Sequence, residues 1–104
     1  MVLAIDIGNT HIVVGCFQKD RIVFVERIST NRTNTTLEYA VSFKTILEIY
    51  QIPVSEIEGN IIASVVPSVT NTVKRAVETI TKQETLLVLS LIHISEPTRR
   101  RGIS

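Results

Sequence analysis

The N-terminal stretch of the chain constrains the fold more than any other part of the sequence. Residues 2–5 are a run of four apolar residues followed by Asp6, and such a run predicts a short strand that is buried on both faces. Gly8 and Asn9 then have the composition of a tight turn, because both residue types tolerate positive φ. A second run of strand-forming residues, 12–17, follows at once. The stretch therefore predicts a β-hairpin with Asp6 and a short turn at its tip.

The tip of this hairpin suits phosphate chemistry. Consecutive backbone N–H groups in a turn form a concave anion site, and Gly8 lets an oxyanion approach because it has no Cβ. We therefore expect the N–H groups from Gly8 to His11, and the Thr10 hydroxyl, to face a phosphate. The Asp6 carboxylate would repel a bare phosphate, so its expected role is to hold Mg²⁺, directly or through water. A plain hairpin with a polar turn is the alternative interpretation.

Two short motifs carry a resemblance to a known family. Residues 5–10, followed by Gly15 and Phe17, resemble the first phosphate motif of the acetate kinase, sugar kinase, Hsp70 and actin superfamily. Within it, the Gly-Asn-Thr sequence is similar to that of the type III pantothenate kinases, and residues 63–67 resemble a second segment of that family. The resemblance covers residues 1–89. It implies an α/β fold, an RNase H-like half-domain in which three antiparallel strands precede helix-strand-helix-strand in a mixed five-stranded sheet.

The same resemblance implies a site and a reaction. The residues implied to bind the ATP phosphates are Asp6, Ile7, Gly8, Asn9, Thr10, His11, Ile12 and Val13. Asp6 is also the implied ligand of Mg²⁺, whereas the family's catalytic base lies in a later motif, so no catalytic residue is assigned here. The implied reaction is ATP-dependent phosphorylation of pantothenate to 4′-phosphopantothenate, the first step of coenzyme A biosynthesis. A monovalent cation (K⁺ or NH₄⁺) and a homodimer of the full-length form are implied with it.

The chain lacks the family's later aspartate motifs, because its only other aspartate is Asp20, in a predicted turn. We therefore expect the 104-residue chain to be a truncated, inactive portion of such a kinase. The alternative is a non-catalytic nucleotide-binding or regulatory relative of the same fold.

Composition limits the other classes of function. The net charge is +1, from 11 basic and 10 acidic residues, which predicts no binding to nucleic acid and no membrane-surface binding. Cys16 is the one cysteine; it cannot form an internal disulfide and is expected to be a small buried hydrophobic residue. No signal-peptide pattern is visible, since Asp6 interrupts the first apolar run. The expected compartment is the cytoplasm.

The rest of the chain alternates between strand and helix patterns. A third strand is predicted at 22–28, a fourth at 60–66 and a fifth at 86–89. A capping box at Thr35 and Glu38 predicts a helix from Leu37 to about Gln51. The residues expected to pack this helix on the sheet are Leu37, Ala40, Val41, Ile46, Leu47 and Tyr50. A second helix is predicted to start near Pro67, with an apolar face formed by Val69, Val73, Ala76, Val77 and Ile80.

Several residues admit two interpretations. Gly15 either keeps the strand thin where a nucleotide passes or marks a β-bulge. Ser64 and Pro67 either shape a loop near the acceptor pocket or form an ordinary strand-to-helix corner. His11 is expected to be solvated at the start of the second strand, where its backbone N–H matters more than its side chain.

The last fifteen residues, 90–104, differ from the rest. They lose the alternation of apolar strand and polar turn, and they contain a run of three arginines, Arg99, Arg100 and Arg101, followed by Gly102. A solvated basic tail and an RNA-binding tail are two interpretations. We favour a third, an atypical tail of non-native sequence, because residues 92–99 resemble translated sequencing-adapter DNA. His93 lies in this tail and receives no role.

Overall fold

The structure, a computed structural model, describes residues 1–89. Its strands are β1 (Val2–Ile7), β2 (His11–Gln18), β3 (Arg21–Ser29), β4 (Gly59–Ser64) and β5 (Thr85–Leu89). Its helices are α1 (Thr36–Ile49) and α2 (Pro67–Thr81), with a short 3₁₀ turn at Val54–Glu56 before β4. The predictions for the tail, including His93, lie outside the described residues.

The five strands form one mixed sheet in the order β3-β2-β1-β4-β5. The first three strands pair antiparallel, whereas β4 runs parallel to both β1 and β5. A parallel partner requires a crossover connection, and α1 and α2 provide the two crossovers. The predicted fold class, three antiparallel strands followed by helix-strand-helix-strand in a five-stranded α/β sheet, is confirmed.

The hydrophobic core lies between the two helices and one face of the sheet. Its largest fully buried side chains are Leu3, Ile7, Ile12, Tyr39, Phe43, Leu47, Ile57 and Ile62. Full burial of one such side chain contributes about 1.5–3 kcal/mol to folding. Cys16 is also in this cluster and fully buried, as predicted.

The expectation that β1 is buried on both faces is wrong for the described residues. Its core face consists of Leu3, Ile5 and Ile7, which are buried. Its other face consists of Val2, Ala4 and Asp6, which are half-buried. Both helices cover the same side of the sheet, so the second side has no described layer above it. We call this second side the open face; around β1 it is formed by Val2, Ala4, Asp6, Val13, Gly15, Phe17, Val25, Ile61 and Ala63.

The predicted apolar face of α1 is partly wrong. Leu37 and Val41 are 71% and 56% exposed, and Tyr50 is also exposed. Tyr39 and Phe43 occupy the core instead, together with the correctly predicted residues Ala40, Ile46 and Leu47. The two aromatic residues are four positions apart, so they lie on the same side of the helix, and their rings stack with centroids 6.0 Å apart. Burying such large apolar rings is favourable, which explains why this side of α1 faces the core. The capping box of Thr35 and Glu38 is present as predicted.

The second helix follows its prediction. Val69, Val73, Ala76 and Val77 are buried, and Ile80 packs against the core from its edge. Pro67 is the first residue of α2, and Lys82 ends it in the left-handed region at φ 60°. Within residues 1–89, neither helix combines the length and the hydrophobicity that crossing a membrane requires.

Candidate functional site

The candidate site lies at the edge of the sheet where the parallel strands end. Because β1, β4 and β5 run in the same direction, their carboxyl ends meet at one edge, which is where open α/β sheets place ligands. The hairpin turn after β1 and the start of α2 after β4 both lie there. The Val65 N–H donates to the Ile7 carbonyl at 3.1 Å and so joins the two segments. The two motifs of the sequence are therefore neighbours in space.

The turn between β1 and β2 has a different conformation from the one that its composition suggests. Neither Gly8 nor Asn9 has positive φ, so the expected use of that freedom is wrong. The Gly8 N–H donates to the His11 carbonyl at 2.9 Å. It is therefore not available to a phosphate, and the expectation that it would face one is wrong. A Cβ at Gly8 would lie 3.1 Å from that same carbonyl oxygen, so the close approach of the two strands explains the glycine.

Two amides of the turn remain for a ligand. Within the described part of the chain, the N–H groups of Asn9 and Thr10 donate to no acceptor, and both residues are exposed. His11 is exposed at the start of β2, as expected. Ile7 and Ile12 point into the core and are fully buried, so only their backbone atoms can contribute to a site.

A loop that the sequence analysis left without a role holds this turn in place. The Thr30 N–H donates to the Thr10 carbonyl at 2.9 Å, and the Thr30 hydroxyl donates to the Gly8 carbonyl at 2.8 Å. The Arg32 guanidinium donates from Nη2 to Asn9 Oδ1 at 3.1 Å. These bonds join residues that are 20, 22 and 23 positions apart. The only local signal was the polar composition of the loop between β3 and α1.

Asp6 lies on the open face beside this turn. It lines a shallow depression of about 250 Å³, together with Val13, its partner in register on β2. Burial raises the pKa of the Asp6 carboxyl above its usual range, because less polar surroundings disfavour the charged form. Among residues 1–89, no hydrogen bond or ion pair reaches this carboxylate.

These surroundings fit a magnesium ion. Mg²⁺ is commonly held by one or two carboxylates, with water and substrate phosphates completing its shell. Asp6 offers one unpaired carboxylate on the open face, two residues before Gly8 at the start of the turn. Among residues 1–89, no group of three or more His, Cys, Asp or Glu side chains is placed to hold a metal ion.

The second motif forms a hydrogen-bonded corner. Ser64 Oγ accepts from the Val66 N–H at 2.9 Å and from the Thr70 hydroxyl at 2.7 Å. Ser64, Pro67 and Thr70 also line a depression of about 290 Å³ beside β5. The hydroxyl of Ser64 is thus used locally, as in a strand-to-helix corner, while the depression leaves room for the acceptor-pocket interpretation.

Gly15 has a local explanation. The register of β2 with β3 shifts between Cys16 and Phe17, directly after this glycine. A Cβ at Gly15 would lie 2.9 Å from Cε1 of the Phe17 ring. The glycine therefore makes room for that ring at an irregularity of the strand.

A solved structure shares the fold of this chain. A ROK hexokinase from Thermus thermophilus matches it with a TM-score of 0.63 and 15% sequence identity, covering 85% of this chain and 34% of the hexokinase chain. At this identity the likeness shows the fold alone, a mixed five-stranded α/β sheet with two helices on one side.

Sequence relatives define the family. The model of the type III pantothenate kinase family matches residues 2–96. A type III pantothenate kinase from Finegoldia magna is 41% identical over 88 residues, which is 85% of this chain and 34% of that protein. One from an Exiguobacterium species is 45% identical over 69 residues, 66% of this chain and 27% of that protein. The chain belongs to the type III pantothenate kinase family, and it spans about a third of the length of these relatives.

Proposed function

We propose that the chain forms the ATP-phosphate-binding portion of a pantothenate kinase. The whole enzyme would transfer the γ-phosphate of ATP to pantothenate and give 4′-phosphopantothenate, at the first step of coenzyme A biosynthesis. The observation that carries this proposal is the unpaired Asp6 carboxylate beside the free amides of Asn9 and Thr10, at the carboxyl edge of the sheet. Family membership supports pantothenate as the acceptor.

Each residue of the site has a role in this proposal. Asp6 holds Mg²⁺, which when bound neutralises part of the charge on the phosphates. The N–H groups of Asn9 and Thr10, with the Thr10 hydroxyl, donate to phosphate oxygens and orient the chain of phosphates. Val13 and the partly buried backbone of β1 limit the water around the carboxylate. Gly8 allows the strands to close tightly beneath the turn.

Among residues 1–89, no group is assigned to accept the proton of the acceptor hydroxyl. Phosphoryl transfer uses a positioned base as well as charge neutralisation, and the other aspartate, Asp20, lies between β2 and β3 at the opposite end of the hairpin. We therefore propose that the 104-residue chain is inactive. The homodimer, the monovalent cation and the cytoplasmic location belong to the proposal for the whole enzyme.

A chimaera tests this proposal. Residues 1–89 would replace the matching segment of the Finegoldia magna relative, and pantothenate-dependent release of ADP would be measured. We expect activity in the chimaera, its loss in the Asp6→Asn chimaera, and its retention in the matched Asp20→Asn control. A folded chimaera that binds ATP without turnover would instead favour the non-catalytic relative. Pantothenate-dependent ADP release by the unmodified 104-residue chain would contradict its proposed inactivity.

A further inference from the structure

We infer that Arg32 is a phosphate-binding residue of this site, where its guanidinium contacts a phosphate of the bound nucleoside triphosphate. The inference rests on the proposed function, because it assigns a further ligand contact at the same turn. Arg32 lies outside both sequence motifs, in the loop between β3 and α1. In the folded chain, the loop that contains Arg32 lies beside the turn between β1 and β2.

The guanidinium of Arg32 lies at the edge of the turn. Its Nη2 donates to Asn9 Oδ1 at 3.1 Å, and the contact is exposed to solvent. A guanidinium has five N–H donors in a rigid planar fork that matches phosphate oxygens. One donor is used by Asn9, so the others can reach a ligand that binds the neighbouring amides.

The backbone that carries Arg32 is fixed on both sides. The Asn31 N–H donates to the Tyr39 hydroxyl at 2.9 Å, and that hydroxyl donates to the Asn31 carbonyl at 2.8 Å. Tyr39 is itself buried in the core. Asn31 Oδ1 accepts from the Thr33 N–H at 2.9 Å and from its hydroxyl at 2.7 Å. Such preorganisation lowers the entropy that is lost when the side chain binds a ligand.

A cationic side chain suits the charge of the proposed site. Asp6 adds a negative charge beside a ligand that is itself an anion. Among residues 1–89, Arg32 is the cationic side chain that is hydrogen-bonded to the turn. Its contact also occupies the acceptor oxygen of Asn9, which leaves the two N–H donors of that amide for an anion. Arg32 therefore adds positive charge to the site and, by binding Asn9 Oδ1, leaves the side-chain NH₂ group of Asn9 to donate to an anion.

The experiment titrates inorganic tripolyphosphate with Mg²⁺ into the 104-residue chain and follows the amide signals of Asn9 and Thr10 by NMR. We expect the dissociation constant to rise about tenfold or more in Arg32→Gln, because a charge-assisted pair is lost. Arg32→Lys keeps the charge without the fork, so its loss is expected to be about threefold. The matched control is Arg21→Gln, an exposed arginine at the opposite end of the hairpin whose guanidinium also contacts an amide oxygen, that of Gln18. It should bind like the wild type.

A double variant separates direct contact from mere positioning of Asn9. If Arg32 acted only through Asn9, Arg32→Gln would have no further effect in an Asn9→Ala background. We expect it to weaken binding severalfold there too, and the absence of that further loss would overturn direct contact. Should Arg32→Gln fail to fold, the comparison of Arg32→Lys with wild type still decides the question.

The remaining outcomes separate this inference from the proposed function. Wild-type binding with unchanged affinity in Arg32→Gln and Arg32→Lys would overturn the role of Arg32 and leave the phosphate site standing. Absence of any shift at Asn9 and Thr10 in the wild type, at millimolar tripolyphosphate and Mg²⁺, would overturn both.

Discussion

The two faces of strand β1 differ in what they contribute to the molecule. Leu3, Ile5 and Ile7 face the helices and are buried, whereas Val2, Ala4 and Asp6 alternate with them on the open face. Successive side chains of a strand point to opposite sides of the sheet, so six residues can serve two purposes. The core face provides stability, and the open face can carry a half-buried carboxylate because water still reaches it. Residues that stabilise the core and the residue proposed to serve the phosphate site therefore alternate along one strand.

The largest expected effect is a truncation on the core face of β1. Ile5 is 2% exposed, and Ile5→Ala should lower the free energy of unfolding by about 2–5 kcal/mol, since it leaves a cavity among close-packed side chains. Val2→Ala, on the half-buried open face, should lower it by less than about 1 kcal/mol. Urea unfolding followed by circular dichroism measures both values.

If Ile5→Ala does not fold, Ile5→Val gives the same comparison at about 0.5–1.5 kcal/mol. Equal losses at Ile5 and Val2 would show that the open face is packed as tightly as the core, and the contrast between the two faces would disappear.

A smaller effect is expected where the core reaches the site. Tyr39→Phe removes the hydroxyl that bonds both backbone groups of Asn31 and should lower the free energy of unfolding by about 1–2 kcal/mol. Amide hydrogen exchange should also become faster at Asn31. Tyr50→Phe is the matched control, because its exposed hydroxyl bonds only the Glu26 side chain. An unchanged exchange rate in Tyr39→Phe would show that the loop is held by other contacts.

The parts of the fold that follow local patterns could be predicted from the sequence. The succession of strands and helices along the chain, the capping box of α1 and the buried face of α2 all rest on spacing within a few residues. The buried face of α1 could not be predicted in the same way, because the helix has two overlapping sets of apolar residues with helical spacing. One set includes Leu37 and Val41, and the other includes Tyr39 and Phe43. The burial of Tyr39 and Phe43 depends on the rest of the core cluster around them, which the spacing along the helix does not encode.

The candidate site shows the same limit. Asp6, Asn9 and Thr10 could be identified from a local motif, but Thr30 and Arg32 reach the turn through hydrogen bonds between distant positions. The composition of the turn also suggested positive φ at Gly8, whereas the glycine meets a steric need at the His11 carbonyl. The N–H of Gly8 is taken by a local bond to the His11 carbonyl, whereas the bonds that hold the turn in place come from the distant residues Thr30 and Arg32.

A third prediction tests how much space the open face has. Gly15→Ala would place its Cβ near the Phe17 ring, but that ring is half-buried and can move. We expect a loss of less than about 1 kcal/mol in urea unfolding, below the usual range for overpacking a closed core. The double variant Gly15→Ala with Phe17→Leu should recover part of that loss. A loss of about 3 kcal/mol or more would mean that the open face behaves like the core face.

The smallest expected change in the free energy of unfolding is at Asp6. It is an increase, whereas the other substitutions are expected to lower that free energy. Burial raises the pKa of the Asp6 carboxyl, so ionisation is less favourable in the folded chain than in the unfolded chain. The favourable contribution of the neutral carboxyl is complete below the unfolded-state pKa and is lost as the pH rises through the folded-state pKa. Asp6→Asn cannot ionise, so it should match the wild type in acid and become more stable as the pH approaches 7. The gain should remain below about 1 kcal/mol, because the carboxylate is partly solvated.

Urea unfolding at several pH values measures this difference, since the other carboxylates are common to both proteins and cancel. Asp20→Asn, in the exposed turn at the far end of the hairpin, controls for the removal of one negative charge. Added Mg²⁺ with tripolyphosphate should stabilise the wild type and leave Asp6→Asn unchanged, because ligands stabilise only the state that binds them. A destabilised Asp6→Asn at pH 7 would mean that the carboxylate has a stabilising partner within the fold. In that case the Asp6 carboxylate would stabilise the fold, whereas the proposed function requires it to be unpaired and free to hold Mg²⁺.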